Sequence, residues 1–120
     1  MPYGSPAHYE ILALCACKQT LARLLPALKV RGHTLDVVTD LAAGRASFLK
    51  RGGHGVLLVA QDATPGMAAT LVADLRAIAP DLRVLGYGVE SIGKEKVERM
   101  PAFHPSARAS IVAVLHALQT

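Results

Sequence analysis

Three short segments of this chain are almost entirely apolar, and they constrain its fold more than any other feature. They are residues 11–17 (ILALCAC), 56–62 (VLLVAQD) and 82–88 (LRVLGYG). Runs of this length without polar alternation are typical of strands whose two faces are both covered by helices, as in a parallel sheet. The sequence therefore predicts an α/β domain, and its most apolar strand, residues 55–61, is expected at the centre of the sheet.

Segments with the spacing of amphipathic helices separate these strands. Their apolar stripes are Leu21, Leu24, Leu25 and Leu28, then Leu41, Phe48 and Leu49, then Leu71, Val72, Leu75 and Ile78, and finally Ile111, Val112, Val114, Leu115 and Leu118. Pro26 lies within the first stripe and is expected to bend that helix. Asp40 is the predicted N-cap of the second helix.

Two further strands are predicted at residues 33–39 and 101–104, and residues 88–100 leave room for one short helix. Strands and helices then alternate five times. Because parallel neighbours need helical crossovers, this order predicts a three-layer (βα)5 domain of flavodoxin-like topology, with a five-stranded parallel sheet in the order 2-1-3-4-5. We expect residues 8–120 to form a single domain after a flexible leader of residues 1–7.

The bulk composition argues against several classes of function. Only 4% of the residues are aromatic, and the basic residues behind the formal net charge of +4 are scattered, since acids dilute the densest group, Lys94, Lys96 and Arg99. We therefore expect no nucleic-acid partner. The two cysteines are one residue apart, and neither a cleavable apolar signal nor an apolar stretch of membrane-spanning length is present. These features predict a cytoplasmic protein without a membrane partner.

The order and spacing of several motifs resemble the receiver domain of two-component response regulators, over residues 10–118. The motifs are ILAL with the loop and leucine-striped helix that follow it, RGHTLDVVTD at residues 31–40, VLL leading to TPGM at 64–67, PDLRV at 80–84, and FHP at 103–105. The resemblance implies the same three-layer fold. It also implies where a phosphorylation site would lie, because a receiver holds Mg²⁺ on acidic residues after its first strand and phosphorylates an aspartate that ends its third.

The residues at these positions are not the ones that phosphorylation needs. The resemblance places the acidic pair on Cys15 and Ala16, the phosphoacceptor on Gln61, the hydroxyl residue after strand four on Gly88, and the lysine of the last loop on His104. Mg²⁺ requires oxygen ligands in octahedral geometry, and a carboxamide is not a phosphoryl acceptor. We therefore expect no catalytic residue, no bound metal and no cofactor.

The resemblance thus implies a pseudo-receiver, which binds other proteins in a bacterial signalling system without being phosphorylated and without acting as an enzyme. Receivers use the surface of helix four, strand five and helix five for docking and dimerisation. In this chain that surface corresponds to about residues 87–118, where we expect a signalling protein or a second copy of the chain to bind. The candidate contact residues are Tyr87, Lys94, Lys96, Val97, Phe103 and Val114.

Two alternatives use a phosphorylated residue. In the first, Asp62 is the acceptor of an atypical receiver, although strand alternation points it away from the side that Gln61 faces, and capping of the following helix is the favoured role. In the second, Cys15 is a nucleophile, as in the phosphocysteine domains of sugar phosphotransferase systems, which this region also resembles, with Lys18 and Thr20 near the phosphate. A small core residue is the favoured role for Cys15.

Overall fold

Five parallel strands in the order β2-β1-β3-β4-β7 form the sheet, in a computed structural model that describes residues 8–101 and 108–119. The sheet strands are β1 (Glu10–Leu14), β2 (Thr34–Val38), β3 (Val56–Val59), β4 (Arg83–Tyr87) and β7 (Glu98–Met100), and β5 (Ser91–Ile92) and β6 (Glu95–Lys96) form a separate hairpin. The helices are α1 (Leu24–Val30), α2 (Leu41–Lys50), α3 (Pro65–Ile78) and α4 (Arg108–Gln119), and a 3-10 turn (Lys18–Leu21) precedes α1. The predicted flavodoxin-like fold is therefore confirmed.

Both faces of the sheet are buried under helices. On β1, Ile11 and Ala13 belong to the apolar core that contains α1 and α4 residues, whereas Leu12 and Leu14 belong to the core that contains α2 and α3 residues. Because successive side chains of a strand point to opposite faces, a strand between two helical layers needs an uninterrupted apolar run. The most apolar strand, β3, pairs with β1 on one side and β4 on the other, which confirms its central place.

The starts of α1 and α2 follow from local chemistry. α1 begins only at Leu24, after the 3-10 turn, so Pro26 lies in the first helical turn. A backbone N–H has no partner within the helix at that position, and the reason for the predicted bend is absent. The predicted cap of α2 is confirmed, since the Asp40 carboxylate accepts a hydrogen bond of 2.7 Å from the backbone N–H of Ala43.

The crossover from β4 to β7 differs from the prediction of a short helix. The chain instead forms the β5–β6 hairpin, in which Ser91 pairs with Lys96 across a turn that begins at Gly93. The φ of Gly93 is +62°, a left-handed conformation that a residue without Cβ adopts at little steric cost. The fifth strand of the sheet is Glu98–Met100, which the prediction did not include, and residues 102–104 of the predicted strand 101–104 lie outside the described residues.

Arg76 of α3 attaches the hairpin to the rest of the domain. Its Nη1 donates to the carbonyl of Lys96 at 2.9 Å and to Glu95 Oε1 at 3.2 Å. Its Nε and Nη2 both donate to the carbonyl of Leu82 at 3.3 Å. One half-buried guanidinium therefore ties the hairpin both to α3 and to the start of β4.

The hairpin packs directly on β4 because Gly86 has no side chain. A Cβ atom at this position would lie 2.8 Å from Val89 Cγ2, 3.3 Å from Val97 Cγ2 and 3.6 Å from Ile92 Cδ1. The first of these separations is shorter than van der Waals contact between carbon atoms. Gly86 therefore leaves room on β4 for the side chains of Val89, Ile92 and Val97.

Three residues of the predicted apolar stripes face solvent. Leu49, Ile78 and Val112 are 63%, 59% and 56% exposed. A helix turns one face to the sheet, and residues outside that arc stay exposed whatever their hydrophobicity. Within the described ranges, 8–101 and 108–119, no helix has the combination of length and apolar character that crossing a membrane requires.

Candidate functional site

The carboxyl ends of β1, β3 and β4 meet at one edge of the sheet, which is where ligands bind in open α/β folds. The strands stay paired up to this edge, since the N–H of Ala60 donates to the carbonyl of Leu14 at 2.8 Å and that of Cys15 to Val38 at 3.1 Å. Ala16 and Asp62 are thereby brought into contact. His104, the remaining predicted site position on the last loop, lies outside the described residues.

Cys15 is a core residue. It is fully buried in the layer under α1 and α4. Burial raises the pKa of its thiol to about 11, with smaller contributions from the negative charges of Asp62 and Cys17. A buried thiol that holds its proton this strongly is a poor nucleophile, so the structure gives no support to a phosphocysteine at this position. The favoured role of Cys15 as a small core residue is confirmed.

Asp62 faces the crevice beside the end of β1, whereas Gln61 lines a pocket on the α3 side, so the two side chains point apart as strand alternation indicated. Its Oδ1 accepts a hydrogen bond of 3.1 Å from the backbone N–H of Ala16, and its Oδ2 accepts one of 2.8 Å from the hydroxyl of Thr20. The predicted capping role is wrong, since the N-cap of α3 is Thr64 and Asp62 bonds to residues that follow β1.

The crevice offers a divalent cation few oxygen ligands. Asp62 contributes a carboxylate, but its neighbours at the end of β1 are the buried thiol of Cys15 and the methyl group of Ala16. In the part of the chain that the structure describes, no group of three histidine, cysteine, aspartate or glutamate side chains is placed to hold a metal ion. A Mg²⁺ ion bound here would have to keep most of its water ligands.

Gln61 lies beside a small pocket on the α3 side of the same edge. The pocket has a volume of about 180 Å³ and is lined mainly by apolar side chains of β3, α3 and the hairpin, with Gln61, Tyr87 and Ser91 as polar groups. Gly88 follows Tyr87 in a left-handed conformation, with φ +72°, and its N–H donates to the carbonyl of Met100 at 2.7 Å. The neighbouring side chains of Gln61 and Asp62 thus lie in different surroundings.

Comparisons with known proteins were informative only at the level of structure. No protein-family model and no curated protein matches this sequence. The chemotaxis response regulator CheY4 of Vibrio cholerae matches with a TM-score of 0.67 at 12% identity, over 93% of this chain and 99% of that chain. A CheY-like receiver domain from Methylobacillus flagellatus matches with a TM-score of 0.69 at 14% identity, over the same shares. A response regulator, TrrA, solved in complex with the histidine kinase ThkA, matches with a TM-score of 0.65 at 13% identity, over 92% and 98%.

This chain has the fold of response-regulator receiver domains. At these identities the likeness concerns the path of the backbone, and the chemistry has to be argued from the residues themselves. Cys15, Ala16 and Asp62 lie at the sheet edge where the resemblance implied a phosphorylation site. The side chains there differ from the acidic set that the resemblance led us to look for.

The predicted partner surface of this receiver fold needs correction. Tyr87 and Val114 are 4% and 1% exposed and belong to the core under α1 and α4, because both point toward the inside of that layer. Val97 packs against the opposite core. Lys94 and Lys96 are exposed on the hairpin, as a docking surface requires. Phe103 lies outside the described residues. The hairpin has also replaced the helix that would have formed the middle of this surface.

A second polar group lies at the opposite edge of the sheet, near the strand amino ends. Arg51 donates to both oxygens of Asp36, with Nε to Oδ2 at 2.6 Å and Nη2 to Oδ1 at 3.1 Å, and His54 Nε2 lies 2.8 Å from Oδ2. The hydrogen bond from Arg51, helped by that from His54, lowers the pKa of Asp36. The ring of His54 stacks on Phe48. These contacts join β2 to the residues between α2 and β3 and have an evident structural role.

Proposed function

We propose that this protein is a pseudo-receiver, a signalling module that binds another protein and works without phosphorylation. The observation that carries the proposal is the environment of Asp62. Its two oxygens are engaged by Ala16 and Thr20, and no second carboxylate stands beside it at the end of β1. A receiver fold arranged in this way has kept the scaffold of the phosphorylation site and exchanged the acids that make it work.

Electrostatic repulsion opposes phosphorylation of Asp62. Transfer of a phosphoryl group to a carboxylate brings two negative groups together, and Mg²⁺ with several acidic ligands neutralises that repulsion in phosphoryl transfer. Cys15 is buried and holds its proton, so it supplies no charge, and Ala16 has no ligand atom in its side chain. Without the ion, Asp62 would have to react while its own charge repels the donor.

Protein binding is the remaining use of a receiver fold that lacks this chemistry. The response regulator TrrA, whose fold this chain shares, was solved in complex with a histidine kinase. The chain also exposes apolar side chains on several helices, including Leu49 and Val112. We place this protein in the same kind of role, as a partner in a bacterial two-component or related signalling system.

The test is phosphorylation by a small donor. Purified protein is incubated with acetyl phosphate and Mg²⁺, and its intact mass is measured beside an active receiver treated in the same way. We expect the mass of this protein to stay unchanged while the active receiver gains a phosphate. A gain of one phosphate by the native chain would overturn the proposal.

A specific observation favours one alternative, the atypical phosphorylated receiver. Asp62 is exposed and faces the crevice, so a donor has access to it. The variants Asp62→Asn and Cys15→Ser decide between acceptors in the same experiment. A phosphate that is lost only in Asp62→Asn would identify this alternative, and one lost only in Cys15→Ser would identify a phosphocysteine despite the burial of that thiol.

A further inference from the structure

The positive charge of this protein is concentrated in the first half of the chain. Residues 8–55 contain seven lysines and arginines and three acids, whereas residues 56–120 contain six of each. Between Glu10 and Asp36 there are four basic residues and no acid. The whole formal net charge of +4 therefore comes from the part of the chain that includes α1.

These four basic residues are exposed. They are Lys18, Arg23, Lys29 and Arg31, on the 3-10 turn and on α1 with its flanking residues. Within residues 8–101 and 108–119, none of the four takes part in an ion pair, and Val30 between them is 86% exposed. We call Lys18, Arg23, Lys29, Val30 and Arg31 the α1 face.

The contrast with the second half of the chain is clear. There, Arg76 pairs with Glu95 and Arg83 with Glu98, and Arg99 lies 3.8 Å from Glu90. Exposed like charges without counter-charges destabilise a folded protein slightly by mutual repulsion. Lys94 and Lys96 on the hairpin are also exposed and in no ion pair among the described residues, but Glu90, Glu95 and Glu98 lie close to them in the sequence, whereas no acid lies between Lys18 and Arg31.

An apolar groove lies beside the charges. It has a volume of about 320 Å³, runs between the 3-10 turn, the start of α1 and β2, and is lined by Lys18, Gln19, Leu21, Ala22, Leu25 and Val37. Leu25 and Val37 are only partly buried within the monomer. Lys18 belongs to both the groove and the α1 face, so the positive charge borders the apolar surface directly.

We propose that the α1 face and this groove bind an acidic, amphipathic segment of a partner protein. The charges select acidic side chains and speed their approach, and the groove takes an apolar side chain that anchors the segment. This inference rests on the proposed function, because it names the kind of partner that the pseudo-receiver would bind. It also moves the docking surface from the hairpin side, where we expected it, to the opposite end of the sheet order.

The same charges argue against two other occupants. A second copy of the chain related by a two-fold axis would set one α1 face against another, and like charges would meet. A nucleic acid would use aromatic side chains for stacking or a longer basic track for phosphates, and the α1 face has neither. An acidic segment with an apolar anchor satisfies both the charge and the groove.

The experiment measures binding of a fluorescent peptide by anisotropy. The probe is a synthetic amphipathic helix of glutamate and leucine, and its control has glutamine in place of every glutamate. The variant R23E/K29E reverses two exposed charges of the α1 face, and K94E/K96E makes the same change in net charge on the hairpin. We expect R23E/K29E to weaken binding about tenfold and K94E/K96E to change it less than twofold, with native binding weakening as salt is added.

Three outcomes would overturn the inference. The first is an equal loss of affinity for the acidic peptide in both variants, which would mean that only the net charge of the protein matters. The second is equal affinity for the glutamine peptide. The third is tighter binding to phosphatidylserine vesicles or duplex DNA than to the acidic peptide. The phosphorylation test above is independent of this one. If Asp62 becomes phosphorylated and R23E/K29E still weakens peptide binding, the proposed function alone is rejected. If the chain is not phosphorylated and R23E/K29E does not weaken peptide binding, this inference alone is rejected.

Discussion

Strand β1 pairs along its whole length, Glu10–Leu14, with β2, whereas β7 pairs with β4 only through residues 98–100 and reaches the sheet by a hairpin. The first half of the sheet is held by apolar packing under helical crossovers and by the contacts of Asp36 with Arg51 and His54. The second half depends more on particular groups, among them Arg76, Gly86 and the ion pair of Arg83 with Glu98. With a short crossover from β4 to β7, this half of the sheet therefore depends less on buried apolar area and more on a few specific contacts.

The difference extends to function. Among the described residues, the cations of the α1 face have no acidic partner, while three arginines of the hairpin half, Arg76, Arg83 and Arg99, are paired with glutamates. A surface whose charges are already paired has less to offer a charged partner than one whose charges are not. The comparison therefore predicts that changes on the hairpin side affect folding more, and that changes on the α1 face affect binding more.

The largest expected effect comes from filling the space at Gly86. In Gly86→Val the new side chain would overlap Val89 and press on Val97, so the hairpin must move or the strand must shift. We expect the free energy of unfolding to fall by roughly 1–3 kcal/mol, the range for overpacked sites. Chemical denaturation measures it.

The matched control for this substitution is Gly55→Val. A Cβ at Gly55 meets no atom within 4 Å, so the same added side chain has open space around it. A loss of stability in Gly55→Val as large as that in Gly86→Val would show that the effect comes from the loss of glycine flexibility and not from the hairpin.

The next effect comes from removing the Arg76 side chain. In Arg76→Ala the hairpin loses its hydrogen bonds to α3, and the half-buried carbonyl of Leu82 and the exposed carbonyl of Lys96 lose this donor. We expect a loss of about 1–3 kcal/mol, together with faster amide exchange in residues 91–97. Hydrogen exchange followed by mass spectrometry locates the change.

Arg45→Ala is the control for Arg76. It removes an arginine that bonds to Asp74 between α2 and α3, and both partners of that pair are largely exposed. Such surface pairs contribute about 0–1 kcal/mol. If Arg76→Ala changed exchange throughout the sheet instead of in the hairpin, the hairpin would not be the separate unit that the comparison assumes.

The smallest expected effect concerns pH and the first half of the sheet. His33 Nδ1 accepts a hydrogen bond of 3.1 Å from the backbone N–H of Tyr9, so the ring must be unprotonated at that nitrogen. Burial, His8 and Arg31 lower the pKa of His33 from 6.5. Its neutral form is therefore favoured in the folded state, and stability should fall as the pH drops below about 6.5 and level off below the lowered pKa.

Thermal unfolding of the native chain and of His33→Gln between neutral and mildly acidic pH measures this effect. The glutamine variant has no titrating ring, so the difference in melting temperature between the two proteins should narrow as the pH falls. A constant difference across the range would mean that protonation of His33 does not contribute to acid sensitivity.

Much of the fold was readable from the residues. Alternating apolar stripes identified four helices, and the cap at Asp40 was located correctly because its side chain acts on a residue three positions away. The hairpin was missed, although Gly86 within an apolar strand and Gly93 within a charged segment were both signals of it. Arg76 was also missed, since its partners Glu95 and Lys96 are distant in the sequence.

The candidate site, too, could be predicted from the sequence only in part. The burial of Cys15 followed from its place at the end of a strand covered on both faces. The contacts of the Asp62 carboxylate with Ala16 and Thr20 did not follow, because these partners are 46 and 42 positions away along the chain. The lack of ion pairs for the cations of the α1 face within the described residues was equally hidden, since an acidic partner could have come from a distant part of the chain.

The amino-acid sequence by itself determined the layers of this protein and the acids that its crevice lacks, because hydrophobic periodicity and side-chain chemistry are local properties. Only the tertiary structure decided which groups Asp62 contacts, how β4 connects to β7 and which cations among the described residues have no ion pair. Each of these depends on groups that are far apart along the chain, and their distances exist only after the chain has folded.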